Sequence, residues 1–383
     1  MTRIKEIYLD YAATTPVDPE VLDVMLPFFS ASFGNPSSLH GFGREARDAV
    51  ENARAEVAGL VNARADEIIF TSGGTESNNM AVKGTAVAMR GQGRHIIASP
   101  VEHSSVYEPC MFMKMLGFDV TFLEVDTSGT VDPEDVRRAI TPKTILISVM
   151  HANNEFGTVQ PIEDVGRIAR EYGIFFHVDM VQTFGHQHID VSRLPVDLAS
   201  FSAHKLYGPK GVGGLYARTG TKIHPIILGG HQENGQRAST HNVPGIVGFG
   251  KAAEIAARTM DEETATLKAM RDRLTEGLYH ALKPVQFNGH PVKRLPGNVH
   301  ISLPDVRGDL LLERLAQRGI ACSAGSACSA GTGSSRILGA LGISPVIAAN
   351  SLRFSLGRHT TPEDIDYVIK VSGEIVREMR RKT

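Results

Sequence analysis

Cysteine is scarce in this chain. Only Cys110, Cys322 and Cys328 occur in 383 residues. An odd and low count excludes a disulfide framework and fits a reactive thiol better. Neither sign of charge is in excess, with 40 Lys and Arg against 42 Asp and Glu and a formal net charge of -2. That balance gives no electrostatic reason to expect nucleic acid or an anionic membrane as the main partner. No apolar run approaches the ~20 residues of a membrane span. The stretch from Met1 to Asp10 alternates charged and apolar residues, so it does not read as a secretory signal. The expected location is cytoplasmic, with no membrane and no direct nucleic-acid partner. Internal repeats and low-complexity segments are also missing.

What is present is an ordinary globular composition, 42% hydrophobic and 21% charged, at a length that suggests two or three domains. Through residue 245 or so, short apolar runs alternate with amphipathic stretches. Candidate strands lie at 67–71, 95–99, 120–123, 145–150, 174–178, 198–202 and 214–217. Helical patterns such as 45–61, 77–89 and 162–172 lie between them. Strand–helix alternation predicts an α/β domain with a mostly parallel, buried sheet. After about Pro244 the pattern changes. A long helix at 250–282 leads to a strand at 299–302, a helix at 309–318, the cysteine segment, a helix at 336–341, a strand at 351–355 and a last helix at 362–380. This reads as a smaller α+β domain. The expected division is a large domain at 1–249, its first ~15 residues packing with the small domain, and a small domain at 250–383 carrying the cysteine loop.

Three segments of the large domain carry chemistry together. FTSGGTESNN at 70–79 runs from an apolar strand through Ser-Gly-Gly-Thr into a helix. Glycines admit a ligand close to the backbone, and a helix N-terminus offers free N–H groups and a positive dipole end. Alone, the segment reads more readily as an ordinary βα turn with Ser72 or Thr75 as N-cap. IFFHVDMVQT at 174–183 ends a buried run in His177, Asp179 and Gln182, and a carboxylate at the carboxyl end of a parallel strand faces the ligand crevice. His177 with Asp179 has no third ligand at metal spacing, so no stable metal site is expected. His186 and His188 read as a surface loop. SFSAHKLYGPKGVGG at 200–214 places Lys205 after a strand, where a lysine of lowered pKa can form a Schiff base; the alternative is a surface lysine. Phosphate cradle, acid and lysine, in that order and all at strand ends, are what pyridoxal phosphate needs.

Two further segments belong to the smaller domain. IACSAGSACSAGTGSS at 320–335 sets Cys328 among small residues, a composition suited to a mobile thiol-bearing segment or to an inter-element loop with incidental cysteines. LRFSLGRH at 352–359 puts Arg353 in an apolar strand, where it needs an anionic partner, whether a substrate carboxylate or a structural ion pair.

Together these segments resemble the NifS/IscS group of cysteine desulfurases, within aminotransferase class V. The resemblance runs from YLDYAATTPVD at 8–18 to LRFSLGRHTTPEDID at 352–366. It includes FGNPSSLH at 33–40, FTSGGTES at 70–77, EHSSV at 102–106, HANNEFGT at 151–158, HVDMVQ at 177–182, SAHKLYGPKGVG at 202–213 and SAGSAC at 323–328. GGHQENGQR at 229–237 looks closer to NifS than to IscS.

The resemblance implies the fold-type-I pyridoxal-phosphate-dependent transferase fold and an enzyme that converts L-cysteine to L-alanine, with the sulfur passing to Cys328 as a persulfide. It implies that Lys205 holds the cofactor, Asp179 pairs with its pyridine nitrogen, His103 stacks on the ring, and Gln182 contacts the ring hydroxyl. Gly74, Thr75, Ser202 and His204 would hold the phosphate. Thr240 would reach the phosphate of the neighbouring subunit in a homodimer. Asn154 and Arg353 would hold the substrate carboxylate. Cys328 would be the nucleophile and at most a transient iron–sulfur ligand. The implied partner is an iron–sulfur scaffold or another sulfur acceptor.

The chain departs from the family pattern in three places. Ser239 precedes Thr240 where the family usually has Gly, a costly choice if φ is positive there. Ser-Ala-Gly-Thr-Gly-Ser-Ser follows Cys328 where Ser-Leu-Glu-Pro is common. Cys322 stands where Ser is usual, and is expected simply to be packed. The chain also ends at Thr383 without the longer IscS-type tail, so docking of a scaffold is expected to differ. Other readings of the same fold are a selenocysteine lyase and an aminotransferase of small amino acids. A non-catalytic scaffold subunit is the reading from a different class.

Overall fold

The computed structural model describes residues 6–324 and 335–381. Seven strands form the main sheet, in the spatial order Ile68–Thr71, Gly213–Ala217, Leu198–Ser202, Phe175–Asp179, Thr144–Ser148, His95–Ala98 and Asp119–Phe122. The last five are parallel to one another, whereas Gly213–Ala217 runs antiparallel to both of its neighbours. The apolar runs at 68–71, 144–148 and 198–202 are buried at every position. Helices cover both faces of such a sheet, which is why its strands read as continuous apolar runs rather than as alternation.

The helices begin where their sequences supply caps. Asp132 accepts from the amide of Glu134 ahead of Pro133–Ala139, and Thr361 and Asp364 form a reciprocal capping box ahead of Pro362–Arg380. Each satisfies amide groups that the first turn leaves free. Ile162, Val165, Ile168 and Ala169 recur at helical spacing and bury one face of Ile162–Glu171.

The helix Val243–Leu282 runs without a break through positions 249 and 250 and packs into two hydrophobic cores. Its first half lies against Gly41–Gly59. A side chain at Gly250 would stand 2.6 Å from the Ala53 Cα, so only glycine permits this approach. Its second half gives Leu267, Leu274, Leu278 and Leu282 to a separate core, with Val368, Val371 and Ile375 of Pro362–Arg380. Each fully buried leucine contributes roughly 2 kcal/mol of burial.

That second core lies on a four-stranded antiparallel sheet, ordered Ser323–Ala324, Ser351–Ser355, Asn298–Ser302 and Gln286–Phe287. Ile7–Tyr8 pairs in parallel with Ile320–Ala321, and Ile7 and Leu9 are buried in the same core. Cys322 packs against this core, and burial pushes its thiol up to about 12. Among the described residues, no helix is long and apolar enough to cross a membrane.

Candidate active site

A cavity of about 390 Å³ opens where the main sheet meets the strand Ser351–Ser355. Gly74, Thr75, His103, Asn154, Asp179, Gln182, Ser202, His204, Lys205 and Arg353 all line it. These are the cofactor and substrate residues expected from sequence, with two exceptions. Thr240 is exposed and stands outside the lining. Cys328 lies outside the described residues.

The phosphate end is built from the helix that starts at Gly74. Gly73, at φ 150°, is the N-cap and caps with no side chain, so neither Ser72 nor Thr75 fills that role. A Cβ on Gly74 would stand 2.6 Å from the Val181 Cγ2, so glycine lets the helix start come down on the strand ends. The first amides of that helix have no helical acceptor. His204 closes the same end. Its Nδ1 pairs with the Thr14 hydroxyl at 3.1 Å, and burial, with Lys205 and Lys210 nearby, pushes it down to about 4. At neutral pH it is therefore an uncharged ring.

Asp179 ends its strand almost fully buried. Its carboxylate accepts from the Asn78 amide at 2.7 Å and from the Val181 backbone at 2.9 Å. Asn78 sits four residues after Gly74, on the same face of the helix. Its own Oδ1 is buried without a partner.

His103 accepts at Nδ1 from the Ser105 amide at 3.1 Å, with the Ser105 hydroxyl 2.7 Å away. Burial holds its pKa below the usual imidazole value, against the charge of Asp179. An acceptor role at Nδ1 leaves the proton of the neutral ring on Nε2.

Lys205 follows its strand on a single 3₁₀ turn, Ala203–Lys205. Its ammonium donates to the carbonyls of Ala12 and Ala13 at 2.5 and 2.7 Å. Gln182 also reaches the Ala12 carbonyl, at 3.2 Å. The segment at 8–18 thus forms a wall of the cavity.

Arg353 serves two purposes at once. It donates to Asp10 Oδ1 at 2.7 Å and to the Asn154 carbonyl at 2.9 Å, which makes it a structural ion pair. Its Nε and the Asn154 side-chain oxygen are buried without partners, and buried polar atoms left unmatched at a cavity wall mark a place for a polar ligand.

Sequence reasoning missed several residues here. Glu155 lines the cavity and is almost fully buried. Burial pushes its carboxyl up to about 7, against Arg353, a hydrogen bond from Ser335 at 3.2 Å and Arg336. His186 is not in a free surface loop, since its ring nitrogen pairs with the Lys205 carbonyl at 2.8 Å. His177 has both nitrogens engaged, by Ser148 at 2.8 Å and Ser200 at 3.0 Å, and is a core histidine. Asn78 and Glu155 did carry a signal, as they fall inside FTSGGTESNN and HANNEFGT. Asp10 also fell inside a quoted segment, YLDYAATTPVD, whereas His186 carried none.

These residues fit pyridoxal phosphate. The glycine-lined helix start suits a phosphate, Asp179 has hydrogen bonds from neutral groups only, and the lysine stands on the same cavity.

The aminotransferase class-V family model matches residues 7–368. The cysteine desulfurase IscS of Dictyoglomus turgidum is 52% identical, covering 98% of this chain and 96% of that protein. The cysteine desulfurase IscS of Methanosarcina thermophila is 49% identical, over 99% and 94%. A solved structure described as a NifS-like protein superposes with a TM-score of 0.92 at 39% identity, covering 97% of this chain and 100% of that one. The chain belongs to the aminotransferase class-V family and, within it, to the pyridoxal-phosphate-dependent cysteine desulfurases.

Proposed function

We propose that this enzyme converts L-cysteine to L-alanine and passes the sulfur to Cys328 as a persulfide. The observation that carries the reading is the single cavity that gathers Lys205, Asp179, His103, Asn154, Arg353 and the Gly74 helix start. When bound, the cofactor supplies an electron sink for the pair released at the substrate Cα. Lys205 holds it through its amine. Asp179 would pair with the ring nitrogen. Gly74, Thr75, Ser202 and His204 would hold the phosphate, and Gln182 would contact the ring hydroxyl.

Arg353 and Asn154 bind the substrate carboxylate, with Asp10 holding Arg353 in place. His103 would stack on the ring, and it presents an N–H at Nε2, a proton donor in its neutral form. The substrate C–S bond breaks, an S–S bond forms to Cys328, and a proton ends on the carbon that becomes the alanine methyl. Glu155, its carboxyl pushed up to about 7 by burial, lines the same cavity.

The proposed division is a large domain at 1–249 and a small one at 250–383, but the large core extends along the helix Val243–Leu282 to Ala256 and the small core takes it up at Leu267, with Ile7 and Leu9 joining the small core. Exposed Phe29, Phe33, Leu39 and Phe42 form an apolar surface that favours a homodimer, in which Thr240 reaches the partner's phosphate. The sulfur acceptor is a protein, and the enzyme works in the cytoplasm.

The test is single-turnover formation of alanine and protein persulfide from L-cysteine, for the wild type and Cys328→Ser. Stoichiometric alanine and persulfide in the wild type, and neither in the variant, is the expected result. Alanine release by the variant at the wild-type rate would overturn the role of Cys328 and point to Cys322 or a lyase mechanism. Turnover of selenocysteine far above that of cysteine would favour a lyase.

A further inference from the structure

The segment GGHQENGQR at 229–237 has no residue in the cavity, yet it is tied to the phosphate end of it. Arg237 donates from Nε to Glu76 Oε1 at 2.8 Å and from a terminal nitrogen to Glu76 Oε2 at 3.3 Å. Glu76 is the third residue of the helix that starts at Gly74. Its Oε2 also accepts from the Ser72 amide at 2.7 Å. Both side chains are largely buried, with 9% of Glu76 and 19% of Arg237 exposed.

The position of Glu76 sets a problem of sign. A carboxylate in the first turn of a helix is favourable in itself, because it meets the positive end of the dipole. The same helix end is where a phosphate dianion would sit. Two anions at one helix start repel each other, and a largely buried carboxylate is screened little by salt. Arg237 and the Ser72 amide hold Glu76 below the usual carboxylate range despite its burial, so Glu76 is charged at neutral pH. A guanidinium bonded through two nitrogens removes that charge from the view of the phosphate and fixes where the carboxylate points.

We infer that Arg237 is a positioning residue of the cofactor phosphate site, neutralising Glu76 so that the helix start at Gly74 accepts a second anion. The inference rests on the reading of residues 72–75 as the phosphate cradle. It predicts an effect confined to the phosphate. Arg237 and Thr240 lie three residues apart, so the arm that would reach the partner's phosphate is fastened by the same contact.

The test is equilibrium binding to the full-length apo-protein, read by cofactor absorbance and fluorescence, with pyridoxal phosphate and phosphate-free pyridoxal as paired probes. Arg237→Met should weaken pyridoxal phosphate about 10-fold, the effect of one uncompensated charge near a partly buried site, and leave pyridoxal within about 2-fold. Arg237→Met combined with Glu76→Gln should recover most of the loss, because the charge that needed neutralising is gone. Glu76→Gln alone should bind pyridoxal phosphate at least as tightly as the wild type, which keeps the test alive if Arg237→Met fails to fold. Equal weakening of both probes, no recovery in the double variant, or weaker phosphate-dependent binding by Glu76→Gln would overturn the inference. If the wild type itself binds both probes equally, the cradle reading fails first, and this inference with it.

Discussion

Two buried carboxylates show how differently this fold treats charge in two places. Glu233, in the arm at 229–241, accepts a bidentate pair from Arg54 at 2.7 and 2.8 Å, the Phe70 amide at 2.8 Å and His241 at 2.7 Å. Burial alone would raise its pKa, but Arg54, His241 and Phe70 hold it at about 2. Its charge is met within the chain, and it fastens the arm to the helix Gly41–Gly59 and to the strand leading to the cradle. Asp179 is buried to a similar degree, but its hydrogen bonds come from neutral groups, Asn78 and the Val181 backbone. A buried anion stabilised only by neutral donors is costly unless a cation is added. The arm uses its carboxylate for architecture, and the strand end leaves its carboxylate facing the cavity.

The largest effect should therefore come from Asp179→Asn, and it should fall on turnover rather than on folding. Asn78 has an unpartnered Oδ1, so flipping its amide would meet the new NH2 group and keep the bond. The substitution removes charge and little else. Alanine formation should drop about 10³-fold, roughly 4 kcal/mol at the transition state, while the denaturation midpoint moves little. A variant with a lowered denaturation midpoint but wild-type turnover per folded protein would put Asp179 in the same class as Glu233.

Glu233→Gln should do the reverse. Removing the charge from a buried pair costs on the order of 3 kcal/mol, read as a loss in denaturant stability, with kcat per folded protein within about 2-fold of the wild type. The pH dependence sharpens the same comparison. An unfolded glutamate titrates near 4.3, and the folded value is about 2. The contribution of Glu233 is therefore complete above about pH 5 and is lost as pH falls through about 2, a total near 3 kcal/mol. Stability measured from pH 5 to pH 2 should fall more steeply for the wild type than for Glu233→Gln, and the two curves should converge at the acid end. Parallel curves would mean that another carboxylate carries the acid limb.

The strand ends were legible in the sequence and the arm was not, for a physical reason. Buried parallel strands are continuous apolar runs. Asp179 and Lys205 interrupt or follow such runs, so their places could be read from chain order alone. The cradle announced itself through adjacent glycines.

Other features have no local pattern. Arg54 and Glu233 are 179 residues apart, and Asp10 and Arg353 are 343 apart. Only packing brings these pairs together. The helix Ser104–Met115 was also missed, because Pro109 in its interior argues against a helix. Capping by His103 and burial of Val106, Cys110 and Met113 outweigh that cost. The helix is placed where His103 must enter the cavity.

The smallest effect concerns backbone, and it separates the same two regions. Ser239, next to Thr240, has φ 101°, a conformation in which a side chain is strained. Strain of this kind costs about 1–2 kcal/mol. Glycine relieves it but loses about 0.5–1 kcal/mol through the greater freedom of the unfolded chain. Ser239→Gly should therefore raise stability by roughly 0.5–1 kcal/mol. The control is Ser202→Gly at the strand end, where φ is -144° and there is no strain to relieve. There the same substitution should lower stability by a similar amount. Opposite signs at the two serines would show that the arm holds its shape against its backbone, and the strand end with it. If both substitutions destabilise, Ser239 makes a contact worth more than its strain, and the homodimer interface, where Thr240 is proposed to reach across, is the place to look for it.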